Sequence, residues 1–168
     1  MQLLVIRHGF AGDKEEFART GKDDSLRPLT AEGKREMALV AKGLKAAARE
    51  IDVLASSPLV RAHQTAAIVA EAYRIEHVEE VDALAPDAPP ENLVRWLRTR
   101  GNDEVVAVVG HEPHLGVLVT WLLSGELETR VVLKKGGACR VDCASPPARG
   151  GGVLRWLMTP VQLRALGE

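Results

Sequence analysis

Residues 105–123 read VVAVVGHEPHLGVLVTWLL. The first five are apolar, four of them valine, with no polar alternation. Such a run is expected of a strand covered on both faces, as in a parallel sheet. Gly110, His111, Glu112 and Pro113 break it, and HLGVLVTWLL (114–123) then continues as a helix apolar nearly all round, hence buried. Strand, short polar break, buried helix is one repeat of an α/β layered fold.

Working outward, the same grammar recurs. LLVI (3–6) is another continuous apolar run. The polar stretch 12–27 reads as a loop. Thr30 is placed to cap a helix, with Glu32 in its first turn and Met37, Val40, Ala41, Leu44 and Ala48 along one face. VLAS (53–56) reads as a strand, followed by Ser57 as N-cap and Pro58 as first residue of a helix bearing Leu59, Ala62, Ala66 and Val69. IEHVEEV (75–81) is a weaker strand, and ENLVRWLRTR (91–100) a helix with Leu93, Trp96 and Leu97 on one face. The last third changes character: VVL (131–133), GACRVDC (137–143) and VLRWLM (153–158) read as strands, with at least one hairpin through SPPARGGG (145–152). The expectation is a single domain over 1–168, a three-layer α/β/α sandwich around a mainly parallel sheet.

Composition narrows the function. The formal net charge is −1 and the pI about 6.5, without the basic excess of a nucleic-acid or anionic-membrane protein. No apolar stretch approaches the roughly 20 residues that span a bilayer, and the N-terminus lacks the basic start of a signal peptide. A cytoplasmic location is expected. Cys139 and Cys143 have no metal or redox spacing and read as buried thiols. HEPH (111–114) is not the HExxH of zinc peptidases, so neither metal nor cofactor is expected.

In parallel α/β sheets, ligands bind beyond the carboxyl ends of the strands. Arg7 and His8 follow LLVI, Arg61 lies in the first turn after VLAS, and His111 follows VVAVV. Neighbouring parallel strands would bring all four to one sheet edge. Two guanidinium forks match phosphate oxygens, and the helix starts at Ser57–Pro58 and Glu112–Pro113 add free N–H groups. Imidazole can attack phosphorus when its other nitrogen is held as N–H, which makes His8 the candidate nucleophile. His111 would stabilise charge on the transferring group, and Gly9 would let the backbone turn sharply behind the pair.

RHG (7–9), RPLTAEG (27–33), SSPLVRAHQTA (56–66) and GHEP (110–113) stand in the order of the histidine phosphatase, or phosphoglycerate mutase-like, superfamily, which the chain resembles over nearly its whole length. Its shortness is most similar to the SixA-type phosphohistidine phosphatases. The resemblance implies that His8 is the phosphorylated nucleophile, that Arg7 and Arg61 bind phosphate, and that His111 is the pocket's second histidine. Larger relatives carry an insertion with a glutamate acid between the RAHQTA-like helix and the later GH motif. Here only about 45 residues separate Ala66 from His111, so no large cap is expected. Asp24, in DDSLRPLT, matches an aspartate of the SixA-type pattern and is the first candidate for the acid, with Glu112 and Asp13 as alternatives.

Leaving-group chemistry bears on the substrate. An alkoxide needs protonation as it departs, whereas the imidazole of a phosphohistidine leaves as a neutral ring, its reference pKa being about 6.5. An open pocket with a weak or missing acid therefore suits a phosphohistidine-bearing protein. A small phosphoester is the alternative substrate, and a non-catalytic phospho-binding module is disfavoured by the presence of all four pocket residues. His63 and His77 read as surface residues, His114 as capping or solvent-facing, and Gln64 and Thr65 as packing or capping. Lys134 and Lys135 read as a solvated turn, with contact to an acidic phosphoprotein as the other possibility.

Overall fold

The computed structural model describes residues 1–144 and 146–168. Six strands form one sheet: β1 (Gln2–Arg7), β2 (Val53–Ser56), β3 (Glu79–Glu80), β4 (Val105–Gly110), β5 (Ala138–Cys143) and β6 (Gly152–Met158). Their order across the sheet is β3-β2-β4-β1-β5-β6. The first four run parallel, while β5 is antiparallel to β1 and to β6. This is the mainly parallel sheet expected, and the β5–β6 pair is the expected hairpin; Ser145 lies outside the described residues.

Helices cover both faces. On one, Leu4, Ile6, Ala107 and Val109 meet α2 (Ala31–Ala47), α3 (Val60–Tyr73) and α6 (Pro160–Leu166). On the other, Leu3, Val5, Val106 and Val108 meet α4 (Pro90–Leu97) and α5 (His114–Ser124). The continuous apolar runs of β1 and β4 follow from this double coverage. Cys139 and Cys143 are buried and unpaired, and burial pushes the Cys139 thiol up to about 12.

Thr30 caps α2 as expected, its hydroxyl accepting from Gly33 N–H at 2.9 Å. Other local readings are corrected. The 12–27 stretch contains α1 (Lys14–Ala18) and a 3₁₀ turn at Asp24–Leu26. Strand character in 75–81 is confined to Glu79–Glu80. VVL (131–133) forms no strand, because the Leu133 peptide is taken by side chains: its N–H donates to Glu112 at 2.8 Å and its carbonyl accepts from Arg7 at 2.7 Å. Helix α3 starts at Val60 with Leu59 as N-cap, two residues later than Ser57 predicts. The last third also holds α6, announced by a capping box that the strand reading passed over: Thr159 accepts from Gln162 N–H, and the Gln162 side chain accepts from Thr159 N–H.

Candidate active site

Register assembles the site. In the β1–β4 pair Arg7 lies opposite Gly110, so His8 and His111 stand side by side one residue beyond the strands. His8 N–H donates to Gly110 O at 3.1 Å, and the two imidazole centroids are 5.0 Å apart. On the other side of β4, Ser57 N–H donates to Val109 O at 3.0 Å. Arg61, in the first turn of α3, completes the group. Arg7, His8, Arg61 and His111 line one cleft of about 510 Å³ beyond the carboxyl ends of β1, β2 and β4, together with Asp24, Arg27, Glu112 and Lys135.

The His8 ring is fixed from behind. Its Nδ1 is 2.7 Å from Gly9 O. A carbonyl only accepts, so the proton sits on Nδ1 and Nε2 keeps its lone pair. Burial pushes the ring's pKa down to about 4; the Gly9 hydrogen bond opposes this, and the charges of Arg61, Arg7 and Lys135 add to it. The ring is therefore neutral at pH 7, as a nucleophile must be. Gly9 is required for space rather than for a sharp turn, since its φ is not left-handed and a Cβ there would stand 2.5 Å from Met37 Cγ. Its N–H donates to Thr65 Oγ1 at 3.1 Å, and that hydroxyl donates to Arg61 O at 2.7 Å. Thr65 thus ties the two phosphate-facing segments together.

His111 has a partner that the sequence reading used otherwise. Its Nε2 is 2.8 Å from Ser57 Oγ, which also accepts from Leu59 N–H at 3.3 Å. Among the described residues Nε2 is the acceptor within reach of the Ser57 hydroxyl hydrogen, so Ser57 donates to it and the ring's own proton is left on Nδ1. That Nδ1 is buried and has no protein partner among the described residues. The ring is neutral, its pKa pushed down to about 3 by burial first and then by His8, Arg61, His114 and Arg7. His114 is buried, not solvent-facing, because α5 starts with it against the core. His63 and His77 are exposed, and Gln64 accepts from Leu29 N–H at 2.8 Å.

Each arginine is aimed from a fixed stem. Arg7 donates through Nη1 to Leu133 O, and Arg61 through Nη1 to Asp24 O at 2.8 Å and Nη2 to Asp24 Oδ2 at 3.1 Å. The Nε groups of both are buried without a protein partner among the described residues. Asp24 also takes Arg27 Nε at 2.8 Å, while Arg27 Nη1 holds Ala11 O and Gly12 O at 3.1 and 3.2 Å. Burial would raise the Asp24 pKa, but the Arg27 hydrogen bond and the Arg61, Arg27 and Lys14 charges outweigh it and hold the carboxyl below its ordinary value. Its carboxylate thus sits between two guanidiniums, pairing with Arg27 Nε and Arg61 Nη2. Glu112 faces the cleft but is engaged with Leu133 N–H, and Asp13 caps α1, lining a neighbouring hollow. Ser57, Arg27 and Thr65 are the residues whose contacts sequence reasoning missed; each acts across more than a dozen residues, and only the quoted motifs around them pointed there.

The result is an electropositive cleft containing one neutral imidazole with a free lone pair and donors facing it, the arrangement required for phosphoryl transfer through the protein. Among the described residues no three His, Cys, Asp or Glu converge as metal ligands, and no helix is long and apolar enough to cross a membrane.

The family model of the histidine phosphatase superfamily (branch 1) matches residues 3–85. An uncharacterised protein of Picosynechococcus sp. is 34% identical over 139 residues, 82% of each chain. The phosphohistidine phosphatase SixA of Escherichia coli K12 is 31% identical over 167 residues, 98% of this chain and 97% of that one. The structure of the protein histidine phosphatase SixA complexed with tungstate superposes with a TM-score of 0.83 at 30% identity, covering 97% of this chain and 99% of the other.

Proposed function

This chain belongs to the histidine phosphatase superfamily and is a phosphatase, and from that premise we propose that it hydrolyses phosphohistidine on a protein through a phosphorylated His8. The observation that carries the reading is the His8 ring, held by Gly9 O with Nε2 free in a cleft edged by Arg7, Arg61 and His111.

His8 Nε2 attacks phosphorus in line as the substrate's P–N bond breaks, its electron pair returning to the departing nitrogen. With a proton on its other nitrogen the substrate imidazole leaves neutral. The His8 proton stays on Nδ1, donated to Gly9 O, throughout, so phospho-His8 is an imidazolium that becomes a neutral leaving group in turn. Water then attacks phosphorus as the P–Nε2 bond breaks, its electron pair returning to Nε2, and dihydrogen phosphate departs carrying both of the water's hydrogens. Arg7 and Arg61 bind equatorial oxygens, and His111 donates to one through Nδ1–H. No step needs a proton delivered to the leaving atom. That matches a cleft in which Asp24 is held ionised, and SixA, similar over nearly the full length, is a phosphohistidine phosphatase.

The test is a panel without added metal: a phosphohistidine protein, phosphoserine and phosphotyrosine peptides, and sugar phosphates. The phosphohistidine protein should have the highest kcat/KM, and His8→Ala should abolish turnover while retaining phosphate binding. Equal or faster turnover of a sugar phosphate would overturn the substrate assignment; wild-type rates in His8→Ala would overturn the nucleophile.

A further inference from the structure

The two lysines of the KKGG turn (134–137) have different surroundings. Lys135 lines the cleft with Arg7, His8 and Arg61; Lys134 does not. The turn is stitched to the nucleophile's own backbone. Gly136, at φ +74°, donates its N–H to Arg7 O at 3.2 Å and to His8 O at 3.0 Å, and Arg7 N–H donates to Gly137 O at 3.0 Å. A positive φ at 136 suits glycine, and it fixes where residue 135 leaves the turn.

The Lys135 ammonium lies 5.0 Å from the centroid of the Phe10 ring. Among the described residues no carboxylate forms an ion pair with it, Asp13 attracting it only from longer range, whereas Arg61 and Arg27 share Asp24. A surface lysine is free to extend into water, and an exposed cation–π contact is weak. This one instead lies at a cleft already holding guanidiniums. Burial, then the Arg7, Arg27 and Arg61 charges, lower its pKa from the usual lysine range. An anion in the cleft reverses the sign of that interaction.

We propose that Lys135 is a substrate-contacting residue, its ammonium leaving the Phe10 ring to close on an oxygen of the phosphoryl group held by Arg7 and Arg61. This rests on the cleft being the phosphoryl site. It supplies a cation from the open side of a pocket without a large cap, and being tied to the Arg7–His8 backbone it stays in register with the nucleophile. The phosphoryl group is the ligand; a carboxylate on a protein partner is the competing target for the same ammonium.

The experiment measures inorganic phosphate binding by calorimetry in a phosphate-free buffer, for wild type, Lys135→Met, Lys135→Arg and Lys134→Met. Lys135→Met keeps the stem over Phe10 and should raise the Kd about tenfold, the lower range for a charged hydrogen bond. Lys135→Arg should stay within about threefold, and Lys134→Met should equal wild type. On the phosphohistidine protein, Lys135→Met should raise KM with kcat nearly unchanged, since the contact exists in ground and transition states alike. A wild-type phosphate Kd in Lys135→Met overturns the proposal, and if KM for the phosphoprotein still rises, the ammonium reads a partner carboxylate instead. A substrate panel without phosphohistidine preference, with the Kd effect intact, would count against the substrate assignment alone.

Discussion

Ser57→Ala isolates the hydrogen bond on which the chemistry of His111 depends. Ser57 is fully buried, and its hydroxyl is 2.8 Å from His111 Nε2. Truncation leaves Nε2 and the Leu59 N–H without their partner, a cost of about 1–3 kcal/mol. That is tolerable against a domain stability on the order of 5–15 kcal/mol, and for this size lowers Tm by about 2–4 °C per kcal/mol. The larger effect is on rate. Without the hydroxyl nothing favours the Nδ1–H tautomer, and the other tautomer turns a lone pair toward the phosphoryl oxygens. Deleting an oxyanion donor outright costs roughly 10²–10³ in kcat. The variant ring can still adopt the productive tautomer, so the expected loss is about tenfold to a hundredfold, equivalent to about 1.4–2.7 kcal/mol. Steady-state kinetics on a phosphohistidine protein read the rate, and ¹⁵N shifts of His111 read the tautomer. Ser57→Thr, which keeps the hydroxyl, should recover most of the loss. A Ser57→Ala enzyme with kcat within twofold of wild type and His111 still protonated at Nδ1 would refute the reasoning.

Because the free-enzyme His8 pKa is pushed down to about 4, kcat/KM, corrected for substrate ionisation, should bend downward near pH 4; an acid limb near 6.5 belonging to His8 would contradict the buried neutral ring. The same shifts set stability. His8 and His111 have folded values of about 4 and 3, so the unfolded chain binds more protons below its own value of about 6.5. Stability is then full above about 6.5 and falls as pH drops toward 3, by up to about 2 kcal/mol per ring at pH 5; urea midpoints unchanged between pH 7.5 and 5 would contradict this. Asp24→Asn removes charge but not shape, and should raise KM severalfold by loosening Arg61 while leaving kcat nearly unchanged. A kcat loss of about a hundredfold or more on the phosphohistidine protein would assign Asp24 as the general acid.

What the sequence discloses here is what is local. The valine run of 105–109 and the LLVI of 3–6 state their double burial directly, and the residues following them stand at the sheet's carboxyl edge because parallel strands end together. What it conceals is decided by partners far along the chain. Ser57 looks like an N-cap because capping is the common use of Ser before Pro; its engagement with a ring 54 residues away follows only from β2 lying beside β4. VVL (131–133) has strand composition, yet its peptide groups go to Glu112 and Arg7. The pairing of Asp24 with Arg61 is made by the fold across 37 residues, and His114 is buried because α5 faces the core from its first residue. The Thr159–Gln162 capping box was legible, but the apolar run before it drew the reading toward strands.

β1 is made first and completed last. Its flanking partners are β4 (Val105–Gly110) and β5 (Ala138–Cys143), so for most of synthesis Arg7 and His8 belong to a strand with neither neighbour. At 5–20 residues per second the interval between emergence of the nucleophile and emergence of β5 is roughly 7–25 seconds. A nascent chain cannot hold a competent phosphate cleft during that time, and fragments ending before residue 138 should be inert however well α2 and α3 fold. Joining residues 168 and 1 and opening the chain in the 126–130 loop, ahead of β5, would put β5 and β6 before β1 within a single linear run, shortening the wait for one of the two neighbours.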